Sequence, residues 1–448
     1  MNLQALKEAI FARGRAMGFT DMEIYYQSST KFSSRVFRGE IDSYTIAGDG
    51  GLAFRGRLGE KMGYAYTELV DDSAVEGLLE GARSAAAITD SEEVEPLYEG
   101  PFVYESTDLF SMALDQADPD QLINLLKEIE AECLRLDPRI SQLQYCNAEK
   151  LTYERMIANT RGLDRSEKGN FSYLLLAAVA REGADTKSTF KFFTIRDLNV
   201  DPKAVAKRLV DETVSYLGAE PLESRTYPVL LRREAAASLL ATFAGVFFAT
   251  NVQKGRSLLK GRVGEAIASP LITLVDDPFL PGGIGSRSFD GEGVPSRRLN
   301  LVQSGVLSSF LYNLRSAGVD GTASTGHGYK PSYKGAVSIA PSNLYIRPGG
   351  RSLEEMVAAT DEAVIVTELQ GLHSGANPIS GDFSLAASGF YVKGGEIVKP
   401  VNQITVAGNF FTLLKEIEEV GSDLEFVPWG GNFGSPTLRV KGLAVAGK

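Results

Sequence analysis

Side chains suited to nucleophilic or metal chemistry are scarce in this chain of 448 residues. It has two histidines, His327 and His373, and two cysteines, Cys133 and Cys146. A zinc hydrolase generally needs two or three imidazole or thiolate ligands close together, and no such grouping is visible along the sequence. The cysteines form no CxxC pair; both are expected to be small buried residues, one on a helix and one on a strand. Glu234 is more informative. In Leu231-Arg232-Arg233-Glu234-Ala235-Ala236-Ala237-Ser238 it stands in the first turn of an otherwise apolar helix, where the helix dipole alone favours an acid. The run His373-Ser374-Gly375-Ala376-Asn377-Pro378-Ile379-Ser380-Gly381-Asp382 collects Ser, His, Asn and Asp in one segment. Neighbours in sequence do not make a triad, which is assembled in space. A turn-rich loop explains the run, and such a loop near strand ends can also line a peptide-binding groove. His373, Ser374, Asn377, Ser380 and Asp382 are the candidates for that role.

The 46 glycines invite phosphate-loop readings. Gly48-Asp49-Gly50-Gly51 is expected to follow a strand, and it and Gly282-Gly283-Ile284-Gly285 are each followed by strand-like sequence, so no helix N-terminus stands ready to hold a phosphate. No GxxxxGK[ST] occurs. Turn geometry accounts for both clusters.

The elements that must carry these residues follow from periodicity. Leu3, Leu6, Ile10 and Met17 mark an amphipathic first helix. Residues 22–68 read as an antiparallel meander. A second helix starts at Asp72-Ser73, with Ser73 and Glu76 spaced as a capping box. Residues 89–117 are acidic and broken by proline, and read as a surface connection. Asp118-Pro119 and Asp201-Pro202 open two more helices by the rule that favours proline in the first turn, with strands between them over 141–195. Gly218 to Pro228 is the best candidate linker. Beyond it come a buried helix over Ala235–Ala249, a strand at Leu271–Val275, a glycine-rich loop, and then mostly strands, interrupted by one helix capped by Ser352 and Glu355. Gly394-Gly395 marks a tight hairpin. The expected fold class is α+β with mainly antiparallel sheets and flanking helices, in two domains, 1–220 and 221–448.

Composition excludes several classes. Lys+Arg number 46 against 57 Asp+Glu, a net charge of −11 that repels polyanions, so no nucleic-acid partner is expected. No apolar run reaches the roughly 20 residues a membrane helix needs. The amino terminus has charges inside its apolar pattern and does not read as a signal peptide. A reduced, cytoplasmic protein is expected.

Longer stretches carry a resemblance. Residues 289–313 (FDGEGVPSRRLNLVQSGVLSSFLYN), 324–328 (STGHG) and 379–409 (ISGDFSLAASGFYVKGGEIVKPVNQITVAGN) resemble the TldD/PmbA family, whose members are named as modulators of DNA gyrase and described as a metalloprotease system. The N-terminal strands match in order and character, so the resemblance spans nearly the whole chain. In that family the TldD branch carries HExxxH on the helix that here begins at Arg233, and a cysteine ligand near the C-terminus. The equivalent positions here are Arg233, Glu234 and Ser238, and no cysteine follows Cys146. A guanidinium has no electron pair to offer a metal, and a serine hydroxyl is a poor substitute for imidazole. The degenerate motif therefore implies the PmbA branch, also called TldE. The implied role is a non-catalytic subunit, without metal of its own, that pairs with a zinc-bearing TldD-type paralogue or forms a homodimer and helps process small or unfolded peptides. A peptidase working by another mechanism and a free-standing homodimeric peptide-binding protein are the alternatives.

Overall fold

The computed structural model describes residues 3–89, 96–428 and 431–448. The first half is built on one antiparallel sheet of long strands: β1 (Met22–Phe37), β2 (Glu40–Leu58), β3 (Lys61–Thr67), β4 (Ile140–Asn159), β5 (Asp164–Glu182) and β6 (Asp185–Ile195), in the order β3-β2-β1-β4-β5-β6. Side chains alternate across it, so one face takes the even-numbered apolar positions such as Ile24, Met156, Leu174 and Leu176. Helices α1 (Leu3–Ala16) and α2 (Val75–Ile88) cover one end of that face. Past the single turn α3 (Met112–Asp115), helices α4 (Pro119–Leu136) and α5 (Pro202–Ser215) cover the other end. Cys133 and Cys146 meet in the core beneath α4, both buried and unpaired.

The opposite face of the sheet meets the second half of the chain. Tyr25, Ala53 and Ile157 pack there against Phe289, Val294 and Tyr333. That second half contains β7 (Arg225–Leu231), α6 (Arg233–Phe243), a 3-10 turn (Ala244–Phe247), α7 (Ala249–Gln253), β8 (Leu274–Asp276), β9 (Leu299–Gln303), β10 (Val306–Leu307), β11 (Gly328–Tyr329), β12 (Ser338–Ile339), β13 (Asn343–Ile346), β14 (Glu362–Gln370), β15 (Asp382–Lys393), β16 (Glu396–Asn409), β17 (Ile417–Val420), β18 (Glu425–Val427), β19 (Asn432–Ser435) and β20 (Leu438–Ala446). Strands β16-β15-β14-β7-β20 are joined in series, and a further pairing of β16 with β20 closes these five into a barrel. A second six-stranded sheet, β10-β9-β8-β13-β19-β18, packs beside it with α6 contributing to the shared core. The fold class read from the sequence is the one observed: α+β, mainly antiparallel.

Local expectations divide. Asp118 and Asp201 cap α4 and α5 with proline at the first helical position, and Ser352 caps the helix Leu353–Ala358 through a box with Glu355. Gly394 and Gly395, both at positive φ, turn β15 into β16. Four readings need correction. Asp71, not Ser73, accepts from the backbone at the start of the second helix, and a 3-10 turn delays α2 to Val75, so the Ser73–Glu76 box does not form. The apolar run from Ala235 to Ala249 is not one helix. Gly245 and the bulky Val246, Phe247 and Phe248 favour a tighter turn, and Phe248 adopts an extended backbone before α7. Two short helices, Leu314–Asp320 and Phe410–Lys415, interrupt the C-terminal strands in addition to the one expected. Gly48–Gly51 lies within β2, not after a strand. Of the connection expected over 89–117, residues 90–95 lie outside the described part, and α3 occupies one turn of the remainder. Among the described residues no helix is long and apolar enough to cross a membrane.

Candidate functional site

Strand β7 aims the start of α6. Leu231 is still paired in parallel with Val366 of β14, and the next backbone N–H, that of Arg232, donates to the Val366 carbonyl at 2.8 Å. Arg232 then takes the N-cap position, with an extended backbone and no side-chain cap. Its guanidinium is free to reach sideways, and Glu234 sits in the first turn, where unsatisfied N–H groups favour a carboxylate. The apolar stripe of α6 is buried in the core shared by the barrel and the second sheet, and its N-terminal turn borders a cleft of about 340 Å³ between the two halves of the chain.

A closed ring of charge lies at the bottom of this cleft. Lys191, on β6, places Nζ 2.8 Å from Glu234 Oε1 and 2.7 Å from Glu212 Oε2. Arg232 closes the ring from the other side, with Nε 2.7 Å from Glu234 Oε2 and Nη2 donating to Glu212 Oε1. Each cation thus bridges both carboxylates. The four side chains are only 6–17% exposed, so water screens them little. Burial alone would raise the Glu234 pKa, but the fields of Arg232, Lys191 and Arg233 outweigh it and bring the value down to about 2. Such a carboxylate is a poor base at neutral pH.

The neighbouring positions are also occupied. Arg233 Nε lies 2.6 Å from Glu425 Oε2 on β18, and Glu425 accepts from Arg208 of α5 at 2.6 Å as well. Ser238 Oγ donates to the Glu234 carbonyl one turn back, at 2.8 Å. A zinc ion held on this helix turn would need lone pairs aimed outward from positions 233 and 238, with a free carboxylate at 234 beside them. What stands there is one guanidinium, one carboxylate already flanked by two cations, and one hydroxyl turned toward its own helix. These residues do not fit a zinc site. Among the described residues no group of three His, Cys, Asp or Glu side chains is placed to hold a metal.

The candidate residues separate into two groups. Glu234, Ser238 and His373 line the same cleft, together with Thr367 and Leu369 from β14. Ser374, Asn377, Ser380 and Asp382 do not line it. They hold their own turn: Ser374 Oγ donates to Gly371, the Asn377 side chain accepts from the N–H groups of Ile379 and Ser380, and Asp382 accepts from Asn409 Nδ2. His327 is remote from the cleft lining and fully engaged, with Thr325 Oγ1 on Nδ1 and Asp276 Oδ2 on Nε2, each at 2.8 Å. Lys191, Glu212, Arg232 and Glu425 escaped the sequence reading. Lys191 alone left a signal, as a charge within the aromatic strand segment Phe190-Lys191-Phe192. Residues 189–192 of the edge strand β6, with Tyr216, Phe426 and the far end of β14, border the cleft, a concave surface suited to an extended peptide.

Comparison with known proteins gives one consistent result. Models of the PmbA/TldA metallopeptidase family match along the chain: domain 1 over residues 22–89, the central domain over 113–217 and the C-terminal domain over 224–447. A relative from Escherichia coli O157:H7, Metalloprotease PmbA, is 26% identical over 94% of this chain and 92% of its own length. A Thermotoga maritima crystal structure, described as that of a candidate modulator of a DNA gyrase, superposes with a TM-score of 0.92 at 31% identity, covering 99% of this chain and 100% of the other. The crystal structure of TldE from Thermococcus kodakarensis gives a TM-score of 0.91 at 27% identity, with 99% and 100% covered.

Proposed function

The chain belongs to the PmbA/TldD metallopeptidase family, and from that premise we propose that it is the non-catalytic subunit of a two-chain peptidase. Its partner is a TldD-type paralogue that carries the zinc, and this chain supplies part of the wall that receives the peptide. The observation that carries the reading is the ring formed by Lys191, Glu212, Arg232 and Glu234. Two fixed cations neutralise the carboxylate that a zinc peptidase of this family would use as its base, and the flanking ligand positions are a guanidinium and a hydroxyl bonded to its own helix. The cleft beside the ring, about 340 Å³ with Tyr216 and Phe426 in its lining, supports a binding role without chemistry. The place of action is the cytoplasm, where thiols stay reduced and where the buried free cysteines are at home.

The test is co-expression with an HExxxH-bearing paralogue. The two chains should co-purify as one complex that cleaves unfolded peptides. Glu234→Gln in this chain should leave turnover within about twofold, because the zinc-bound water belongs to the other subunit. Chains that elute separately at micromolar concentration, with the paralogue fully active alone, would defeat the proposal.

A further inference from the structure

A second cavity of about 430 Å³ opens between the C-terminal half and the face of the N-terminal sheet that carries Tyr25 and Tyr153. Pro428 borders both this cavity and the first cleft, so the two lie against a common wall. Two arginines line it, in very different circumstances. Arg155 Nε donates to Glu167 Oε1 at 2.7 Å, and the other oxygen of Glu167 accepts from the backbone and hydroxyl of Ser288 at 3.1 and 2.7 Å. That carboxylate is saturated. Arg287 has no ion pair among the described residues. Its Nη1 and Nη2 reach only the carbonyls of Pro341 and Ala340, at 3.4 and 3.3 Å, and its Nε finds no acceptor. Burial works against its charge; Asp276, Asp290 and Glu167 oppose that effect from beyond ion-pair distance, and the nearby Arg155 adds to it.

A largely desolvated guanidinium with only long contacts to two carbonyls, and an Nε that meets no acceptor, is an unfavourable arrangement for a fold to keep. The planar fork of a guanidinium matches a carboxylate in shape and in charge. We propose that Arg287 binds a carboxylate of a peptide ligand lying along the wall shared by the two cavities. The inference rests on the reading of this chain as a peptide-receiving wall and adds an anchor to it. The carboxylate comes either from the peptide C-terminus or from an acidic side chain, and one set of probes separates these sources.

The experiment is calorimetric titration of the full chain with three acetylated alanine pentapeptides: one with a free C-terminus, one amidated, and one amidated with a glutamate in place of one alanine. The free acid or the glutamyl amide should bind about tenfold tighter than the plain amide, as expected for a charge-assisted pair, and whichever does so names the source. Arg287→Gln should erase that preference. Arg287→Lys, which keeps the charge and loses the fork, should reduce the preference, and it carries the test if the glutamine variant does not fold. Equal binding of all three peptides, or a preference that survives Arg287→Gln, would overturn the inference and leave the peptide-wall reading intact. Failure of every peptide to bind the wild-type chain would likewise overturn the inference, while the peptide-wall reading is decided by the co-expressed complex.

Discussion

At the scale of single residues, the distinguishing feature is a carboxylate held between two cations in a largely buried ring. Glu234 is flanked by Lys191 and Arg232, with Glu212 completing the ring. Its depressed pKa ties stability to pH in a definite direction. A carboxyl group at about 2 in the folded chain and 4.5 unfolded contributes stability that is fully present above pH 4.5 and is lost as pH falls toward 2. Removing one member of a largely buried ion pair costs about 3–5 kcal/mol; partial exposure and the remaining Glu212 lower the expectation for Glu234→Gln to about 2 kcal/mol. Urea unfolding at pH 7 should register that deficit, and the gap to wild type should narrow as pH drops below 4.5. A gap that is constant with pH would mean that the ring is not the source. The sequence displayed Glu234, Arg233 and Ser238, and so the loss of ligand character was legible. The ring was not, because its partners stand 22 and 43 residues away, at Glu212 and Lys191.

Among elements, the cleft depends on how β14 is held between β7 and β15. Its parallel pairing with β7 sets the start of α6, and its far end carries Thr367 and Leu369 onto the cleft wall. On the other side Gly389 lets β15 approach so closely that a Cβ there would lie 1.7 Å from the Ile365 carbonyl oxygen. Gly389→Ala must push β14 and β15 apart. The expected cost is about 1–3 kcal/mol of stability, typical of overpacking, with weakened peptide binding because the wall moves with β14; thermal unfolding and titration would measure the two effects. Unchanged values of both would show that β14 does not set the wall. Elements with local signals were legible: the aspartate–proline helix starts, the Ser352–Glu355 box and the Gly394-Gly395 hairpin each depend on residues within a few positions. Barrel closure was not, since β16 meets β20 across a separation that no local pattern encodes.

For the whole molecule, the cleft exists because two differently built halves meet. Lys191 comes from the long-stranded sheet and Glu234 from the barrel side, so the ring is also a clasp between them. Arg208 and Arg233, one from each half, share Glu425 in the same way. The sequence indicated two textures and their order, and the family resemblance indicated what had been lost from the helix. The charge ring appears only when the halves are joined, because the cation nearest Glu234 Oε1 comes from the other half. The central claim is that this chain holds fixed cations where a zinc-bearing relative would hold its metal. Elemental analysis of the full chain, purified without chelator and dialysed after exposure to excess zinc, tests it most directly. The account predicts far less than one zinc per chain, unchanged in Glu234→Gln. One zinc per chain in the wild type, lost in Glu234→Gln, would contradict it.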